Sequence, residues 1–171
     1  MINDYILKSI IYGGIDGIIT MFNIIAGITG AKLNSKYIFI LGLAVLISDG
    51  LSMGVGDYLS LKADMKKKSK HLQNKLTKDI SPLNNGIITF SSFVVFGMIP
   101  ISIYFLINGN TKNKFNKILL SIIISLFLLG TLQSYYTDEE WYKAGAKLTI
   151  FGCVTSIIAF NISRFIMKYL K

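Results

Sequence analysis

The chain has 171 residues, of which 52% are hydrophobic and 16% are charged, and its mean hydropathy is +0.55. This balance excludes a separate soluble domain, because no polar segment is long enough to build one. The formal net charge is +9, but the basic residues stand in short segments between apolar runs and do not form the basic face of a nucleic-acid-binding fold. We therefore predict one transmembrane domain, residues 1–171, in contact with membrane lipids and without a nucleic-acid partner.

Five apolar stretches are long enough to cross a bilayer as helices, for which about 20 residues are needed. Their predicted limits are 9–30, 37–61, 86–107, 117–136 and 146–167. The predicted fold class is therefore an all-α membrane protein with five transmembrane helices. The first stretch is long and contains a carboxylate, which argues against a cleaved signal peptide.

The first predicted span carries a single charge, Asp16, inside an otherwise uncharged run from Ser9 to Ala31. An ionised Asp at the centre of a membrane helix costs about 2.5–3.5 kcal/mol on insertion scales. Asp16 should therefore face a partner helix, a water-filled cavity or a cation instead of lipid. We interpret it as a residue that binds a positively charged ion.

The second predicted span contains the motif SDGLSMGVGDYLSLKAD, in which Asp49, Met53 and Asp57 recur at intervals of four. This spacing predicts that the three side chains stack on one face of a helix. Carboxylate oxygen combined with thioether sulfur suits a divalent transition metal better than magnesium or calcium, which prefer oxygen alone. The pattern therefore indicates a metal site, although a packing role for Met53 stays open at this point.

Small residues also recur every four positions in the first two spans. They are Gly13 and Gly17 in the first span, and Ser48, Ser52, Gly56, Ser60, Gly50 and Gly54 in the second. Such stripes allow close helix approach in a membrane. We expect spans one and two to pack closely through the glycines, against each other or across a dimer.

The connection between spans two and three, residues 62–82, contains seven lysines. Lysine-rich connections stay on the cytosolic side of a membrane. We therefore predict that this connection and the N-terminus are cytosolic, and that the C-terminus lies across the membrane.

No catalytic constellation stands out in the sequence. There is no glycine-rich phosphate loop with its lysine, and no serine or cysteine stands beside a plausible base. The one histidine, His71, lies among lysines and is predicted to be solvated, while the one cysteine, Cys153, lies in an apolar run and excludes an intramolecular disulfide. We predict a protein that is not an enzyme and holds no cofactor.

Three segments, GGIDGIITMFNIIAGITGA, SDGLSMGVGDYLSLKAD and NNGIITFSSFVVFGMIP, follow one another in an order and spacing that resemble the vacuolar iron transporter family. The later region LFLLGTLQSYYTDEEWYKAGAKLTIFG is similar to that family's fourth and fifth spans. The resemblance implies a five-span homodimer that exports ferrous iron, often also manganese, from the cytosol in exchange for protons. It implies residence in a vacuole-like organelle membrane, with export out of the cell as the other destination.

The resemblance also implies particular metal ligands. The family's span-one aspartate matches Asp16, and its span-two methionine matches Met53. The acidic residue that ends the family's long second helix matches Asp64, which we interpret as a ligand at the entrance of the cation pathway.

Two departures from the family pattern matter. Plant and fungal members have an intramembrane glutamate where this chain has Val45. We interpret Asp49, which lies one turn nearer Met53, as the substitute for that charge, and the positions of Asp49 and Asp57 are acidic in only some branches of the family. Those members also have a glutamate-rich cytosolic metal-binding domain between spans two and three, which the short basic connection 62–82 replaces here.

Two alternatives to the antiporter stay open at this point. A passive divalent-cation channel would need the same carboxylates without coupling to protons. A non-transporting scaffold subunit would keep the fold after losing the cytosolic domain, but the retained Asp16, which is costly in lipid, weighs against it.

Overall fold

A computed structural model of the chain describes residues 4–67, 81–106, 111–137 and 139–170. Five helices make up these ranges: α1 (Asp4–Gly30), α2 (Lys36–Lys67), α3 (Pro82–Leu106), α4 (Thr111–Thr137) and α5 (Trp141–Tyr169). Each contains a stretch that is long and apolar enough to cross a membrane. The predicted all-α fold with five transmembrane helices is confirmed.

The helices extend beyond the predicted apolar limits. The second was expected to end at 61, but α2 continues to Lys67, and the fifth was expected to start at 146, but α5 begins at Trp141. Hydropathy marks only the part of a helix that lies in lipid, whereas backbone hydrogen bonding continues into the polar region. The start of α3 at Pro82 fits the preference of proline for the first turn of a helix.

α1 is the central helix of the bundle. It packs mainly along α3 and α5 and also contacts α2 and α4. On one side, buried residues of α1 meet α4 in a cluster formed by Ile18, Ile19, Phe22, Ile118, Ile122, Leu126 and Leu129. On the other side, a second cluster joins α1, α2 and α3 through Met21, Leu46, Phe93 and Ile101. The outward faces of the other helices carry large exposed apolar side chains, as lipid contact requires.

The glycine stripes were expected to join the first two spans, and this prediction is wrong. A Cβ added at Gly17 would collide with the carbonyl oxygen of Phe93 in α3, and one added at Gly54 would lie 2.7 Å from the carbonyl oxygen of Gly86, also in α3. Both stripes therefore face α3 within the same chain. A small-residue stripe allows close approach but does not specify which helix approaches.

The start of α1, the end of α2 and the start of α3 meet at one end of the bundle, where the side chains of all three line a common cavity. We call this the basic end, because the lysine-rich connection 62–82 joins α2 to α3 there. The prediction that His71 is solvated concerns residues 68–80, which lie outside the described ranges.

A matched pair of glycines tests the packing of α2 on α3. Gly54→Ala places a Cβ against the backbone of Gly86, whereas a Cβ at Gly56 meets nothing within 4 Å. We expect Gly54→Ala to lower the stability of the purified protein by about 1–3 kcal/mol, as overpacking does. Thermal unfolding of the monomer in detergent measures this as a drop in melting temperature, and Gly56→Ala, whose Cβ meets no atom of its own chain, should not lower that temperature. Equal melting temperatures for the two variants would contradict the α2–α3 contact.

Candidate functional site

Four of the five predicted ligands form two groups instead of one site. Asp16 of α1 is half-buried and lies close enough to Asp49 of α2 for the two carboxylates to repel each other electrostatically. Asp57 and Asp64 instead line the cavity at the basic end. With a rise of about 1.5 Å per residue, Asp49 and Asp57 are about 12 Å apart along α2. The structure therefore separates a deeper carboxylate pair from a group nearer the end of the helix.

The Asp16–Asp49 pair has no countercharge in the part of the chain that the structure describes. The two ion pairs found there, Glu139–Lys147 and Glu140–Lys143, involve neither carboxylate. The one hydrogen bond to the pair in these ranges is weak, at 3.5 Å from the Ser48 hydroxyl to Asp49 Oδ1. Nor do three His, Cys, Asp or Glu side chains come together in a metal-binding cluster anywhere in the described ranges of this single copy. One copy therefore supplies two repelling carboxylates and leaves their charge uncompensated.

Met53 is partly buried and packs against the cluster that joins α1, α2 and α3. Asp49 is exposed, whereas Met53 and Asp57 are turned further inward. The prediction that the three share one face is therefore only partly right. A step of four residues advances about 40° beyond a full helical turn, so the stripe winds around α2 from the outside toward α1 and α3.

α2 presents a polar stripe on its outer surface. Its members Ser48, Ser52, Gly56 and Ser60 are all exposed, and Asp49 lies beside them. Exposed apolar side chains, Leu51, Val55 and Leu59, interleave with the stripe. Lipid does not satisfy hydroxyl and carboxylate groups. The α2 polar stripe is therefore a surface that a membrane alone leaves unsatisfied.

Asp57 joins three helices through one carboxylate oxygen. Its Oδ2 accepts hydrogen bonds from Ser9 Oγ of α1 at 3.1 Å, from Asn85 Nδ2 of α3 at 2.9 Å and from Thr89 Oγ1 of α3 at 2.5 Å. Hydrogen bonds to an ionised acceptor are shorter and stronger than neutral ones. This network holds a carboxylate in place inside a membrane bundle.

Sequence reasoning missed the partners of Asp57. The available signal was the polar pair Asn85 and Thr89, spaced by four residues at the start of an otherwise apolar span, which places both on one helical face. Asn85 is only 5% exposed, and its Oδ1 is buried without a hydrogen-bond partner in the described ranges. A buried polar atom without a partner costs about 1–3 kcal/mol, so this oxygen calls for an explanation.

The fifth predicted ligand, Asp64, is exposed on the extension of α2 beyond the predicted span. It lines the same cavity as Asp57 and Asn85, whose volume is about 240 Å³. Lys8 of α1 lines this cavity as well. Asp64 is therefore placed with Asp57 and away from the deeper carboxylate pair.

Known sequences are similar to this chain over most of its length. The sequence profile of the VIT family matches residues 7–80 and 63–164, which together cover most of the chain. The chain belongs to the VIT family. The predicted resemblance is thereby confirmed.

Individual relatives in this family are named as iron transporters. The chain is 24% identical to the vacuolar iron transporter of Plasmodium falciparum (isolate 3D7), with 90% of this chain and 80% of that protein aligned. It is 27% identical to the vacuolar iron transporter of Centaurea cyanus, with 92% and 86% aligned. A 62-residue segment is 44% identical to the vacuolar iron transporter of Toxoplasma gondii (strain ATCC 50861 / VEG), which covers 36% of this chain and 20% of that protein. These relatives are transporters, which fits the prediction of a protein that is not an enzyme.

The alignment lengths differ between relatives. Those with the Plasmodium falciparum and Centaurea cyanus proteins run over 217 and 213 positions, more than the 171 residues of this chain. These two relatives therefore carry residues that have no counterpart here. The two matches of the family profile overlap at 63–80, which begins in the last turns of α2 and continues past its end at Lys67.

Proposed function

We propose that this protein transports ferrous iron or manganese out of the cytosol in exchange for protons, as a homodimer in a vacuole-like organelle membrane. The observation that carries the proposal is the Asp16–Asp49 pair, a half-buried and an exposed carboxylate on membrane-spanning helices that repel each other, with no countercharge in the described part of the chain. The names of the VIT relatives support iron as the metal, and the lysine-rich connection 62–82 supports a cytosolic position for that connection.

Charge neutrality supports the coupling to protons. Two carboxylates neutralise one divalent cation, and two protons neutralise the same two carboxylates. A bundle that alternates between these two states never holds a large net charge in lipid, which would be costly. Each cation that leaves the pair is then replaced by protons, and each cation that binds releases them. This exchange is the outline of an antiporter.

The α2 polar stripe supports the dimer. A second copy that packs against the stripe would cover Ser48, Ser52 and Ser60 with polar groups instead of lipid, and Gly56 would allow the two α2 helices to approach closely. The same packing would bring the exposed Asp49 of each copy toward the other. The site then gains carboxylates that a single copy does not possess.

Neutralising Asp16 tests the central proposal. Asp16→Asn keeps the size of the side chain and removes its charge. We therefore expect the flux of metal ions into proteoliposomes to fall to the level of liposomes without protein. Glu139→Gln, which removes a surface carboxylate paired with Lys147, serves as the control and should transport normally. Metal flux measured in the same liposomes with and without a pH gradient shows whether transport is coupled to protons. Flux of Asp16→Asn at the rate of the unaltered protein would contradict the proposed site, and flux indifferent to the gradient would identify a channel instead of an antiporter.

Selectivity tests the role of the thioether. Met53→Leu conserves the side-chain volume and removes a soft ligand, so the flux of iron and manganese should fall by about tenfold or more. A loss of about this size follows even from mutation of residues that only hydrogen-bond to metal ligands. Magnesium flux should change less. Met98→Leu is the matched control, because Met98 packs against the same cluster. If Met53→Leu and Met98→Leu affect all cations alike, Met53 is a packing residue only.

Cysteine cross-linking tests the dimer. In a chain whose Cys153 is replaced by alanine, Gly56→Cys should form a covalent dimer on mild oxidation in membranes, since Gly56 lies on the open polar stripe of α2. Ile150→Cys, on the exposed face of α5, should stay monomeric. Cross-linking through position 150 and not through position 56 would place the interface on α5 and contradict a shared α2 site.

A further inference from the structure

Side chains that carry oxygen atoms line the cavity at the basic end. It lies among α1, α2 and α3, has a volume of about 240 Å³, and is lined by Asp57, Ser60, Asp64 and Asn85 among others. Its carboxylates are separate from the Asp16–Asp49 pair, because Asp49 lies about 12 Å further along α2 from Asp57. The cavity is therefore a distinct polar environment.

Asp57 is held in a fixed position in this cavity. The three donors that reach it, Ser9, Asn85 and Thr89, all bind the same oxygen, Oδ2. Among the described residues, all three of these donors bind Oδ2 and none of them binds Oδ1. A carboxylate fixed through one oxygen is a preorganised ligand through the other, since little conformational freedom is lost when a cation binds.

Asn85 points to the nature of that partner. Its amide nitrogen donates to Asp57, so the orientation of the amide is set and Oδ1 is the atom left over. This oxygen is an acceptor only, it belongs to a side chain that is 5% exposed and lines the cavity, and it has no hydrogen-bond partner in the described ranges. A cation satisfies an unpaired acceptor as a donor does, and the adjacent carboxylates favour a cation over a neutral donor.

We propose that Asp57 and Asn85 Oδ1 form a second divalent-cation site in this cavity, with water completing the coordination. Asp64 lines the same cavity about 10 Å further along α2 and adds negative charge there without binding the same ion directly. The set is made of oxygen alone, so it suits hard cations and manganese and does not select by softness. If the proposed transport is correct, the site receives cations at the basic end before they reach Asp16 and Asp49. Binding to the cavity itself is independent of transport.

The positive charge of Lys8 provides a further test of the proposed site. It lines the same cavity, and no ion pair joins it to Asp57 or Asp64 in the ranges that the structure describes. Its positive charge opposes a bound cation through Coulomb repulsion. Removing that charge should therefore strengthen cation binding, an outcome that damage to the fold would not produce.

Manganese binding to the full-length protein in detergent tests this site. The background carries Asp16→Asn and Asp49→Asn, which removes the deeper pair, and free Mn²⁺ is measured by electron paramagnetic resonance during titration. We expect one bound Mn²⁺ per chain in this background. Adding Asp57→Asn or Asn85→Ala should weaken the affinity at least tenfold, and adding Lys8→Gln should strengthen it severalfold. Asn84→Ala, at the exposed neighbouring position, is the control and should bind as the background does.

The outcomes separate this site from the proposed transport. Absence of Mn²⁺ binding in the background would overturn the second site, and so would equal affinities for Asn85→Ala and Asn84→Ala. An affinity unchanged by Lys8→Gln would overturn it as well. The background lacks the carboxylates on which transport is proposed to depend, so these measurements stand whatever the flux assays give.

Discussion

Every carboxylate inside a membrane-spanning bundle has to be stabilised by protein, water or a cation, because lipid provides no polar partner. This chain meets that constraint in two different ways. Asp57 is stabilised by hydroxyl and amide donors from α1 and α3 that converge on one oxygen. Asp16 and Asp49 repel each other and are left without a countercharge in the described part of the chain. The first arrangement joins three helices, and the second leaves two negative charges without a positive partner among the described residues.

The position of those carboxylates depends on α3. Both α1 and α2 lie against it through glycines, and at Gly17 and Gly54 the missing side chain allows backbone to meet backbone. The hydrophobic effect does not drive helix association within a membrane, so close van der Waals contacts of this kind contribute much of the free energy of helix association. Because α1 and α2 both present their glycine faces to α3, their other faces are free to present Asp16 and Asp49 to each other. The α2 polar stripe is left on the outside for the same reason.

α2 arranges the polar groups in order along its length. Asp64 and Asp57 stand at the basic end, and Asp49 lies about 12 Å deeper than Asp57. The winding of the stripe turns Asp57 toward α1 and α3 and leaves Asp49 exposed. One helix thus connects a hydrogen-bonded cavity at the end of the bundle with a carboxylate on its open face.

The sequence by itself determined the all-α fold with five spans, the unusual position of Asp16 and the VIT family pattern, because hydropathy, charge and motif order are local properties that can be read along the chain. It also placed Asp49, Met53 and Asp57 correctly on one helix. Only the tertiary structure decided which helix the glycines approach, which way each ligand faces and which residues surround Asp57. Ser9, Asn85 and Thr89 belong to other helices, and their meeting depends on how each helix is rotated about its axis. That rotation is set by packing among all the helices at once, and a periodic stripe looks the same in the sequence whichever neighbour it contacts.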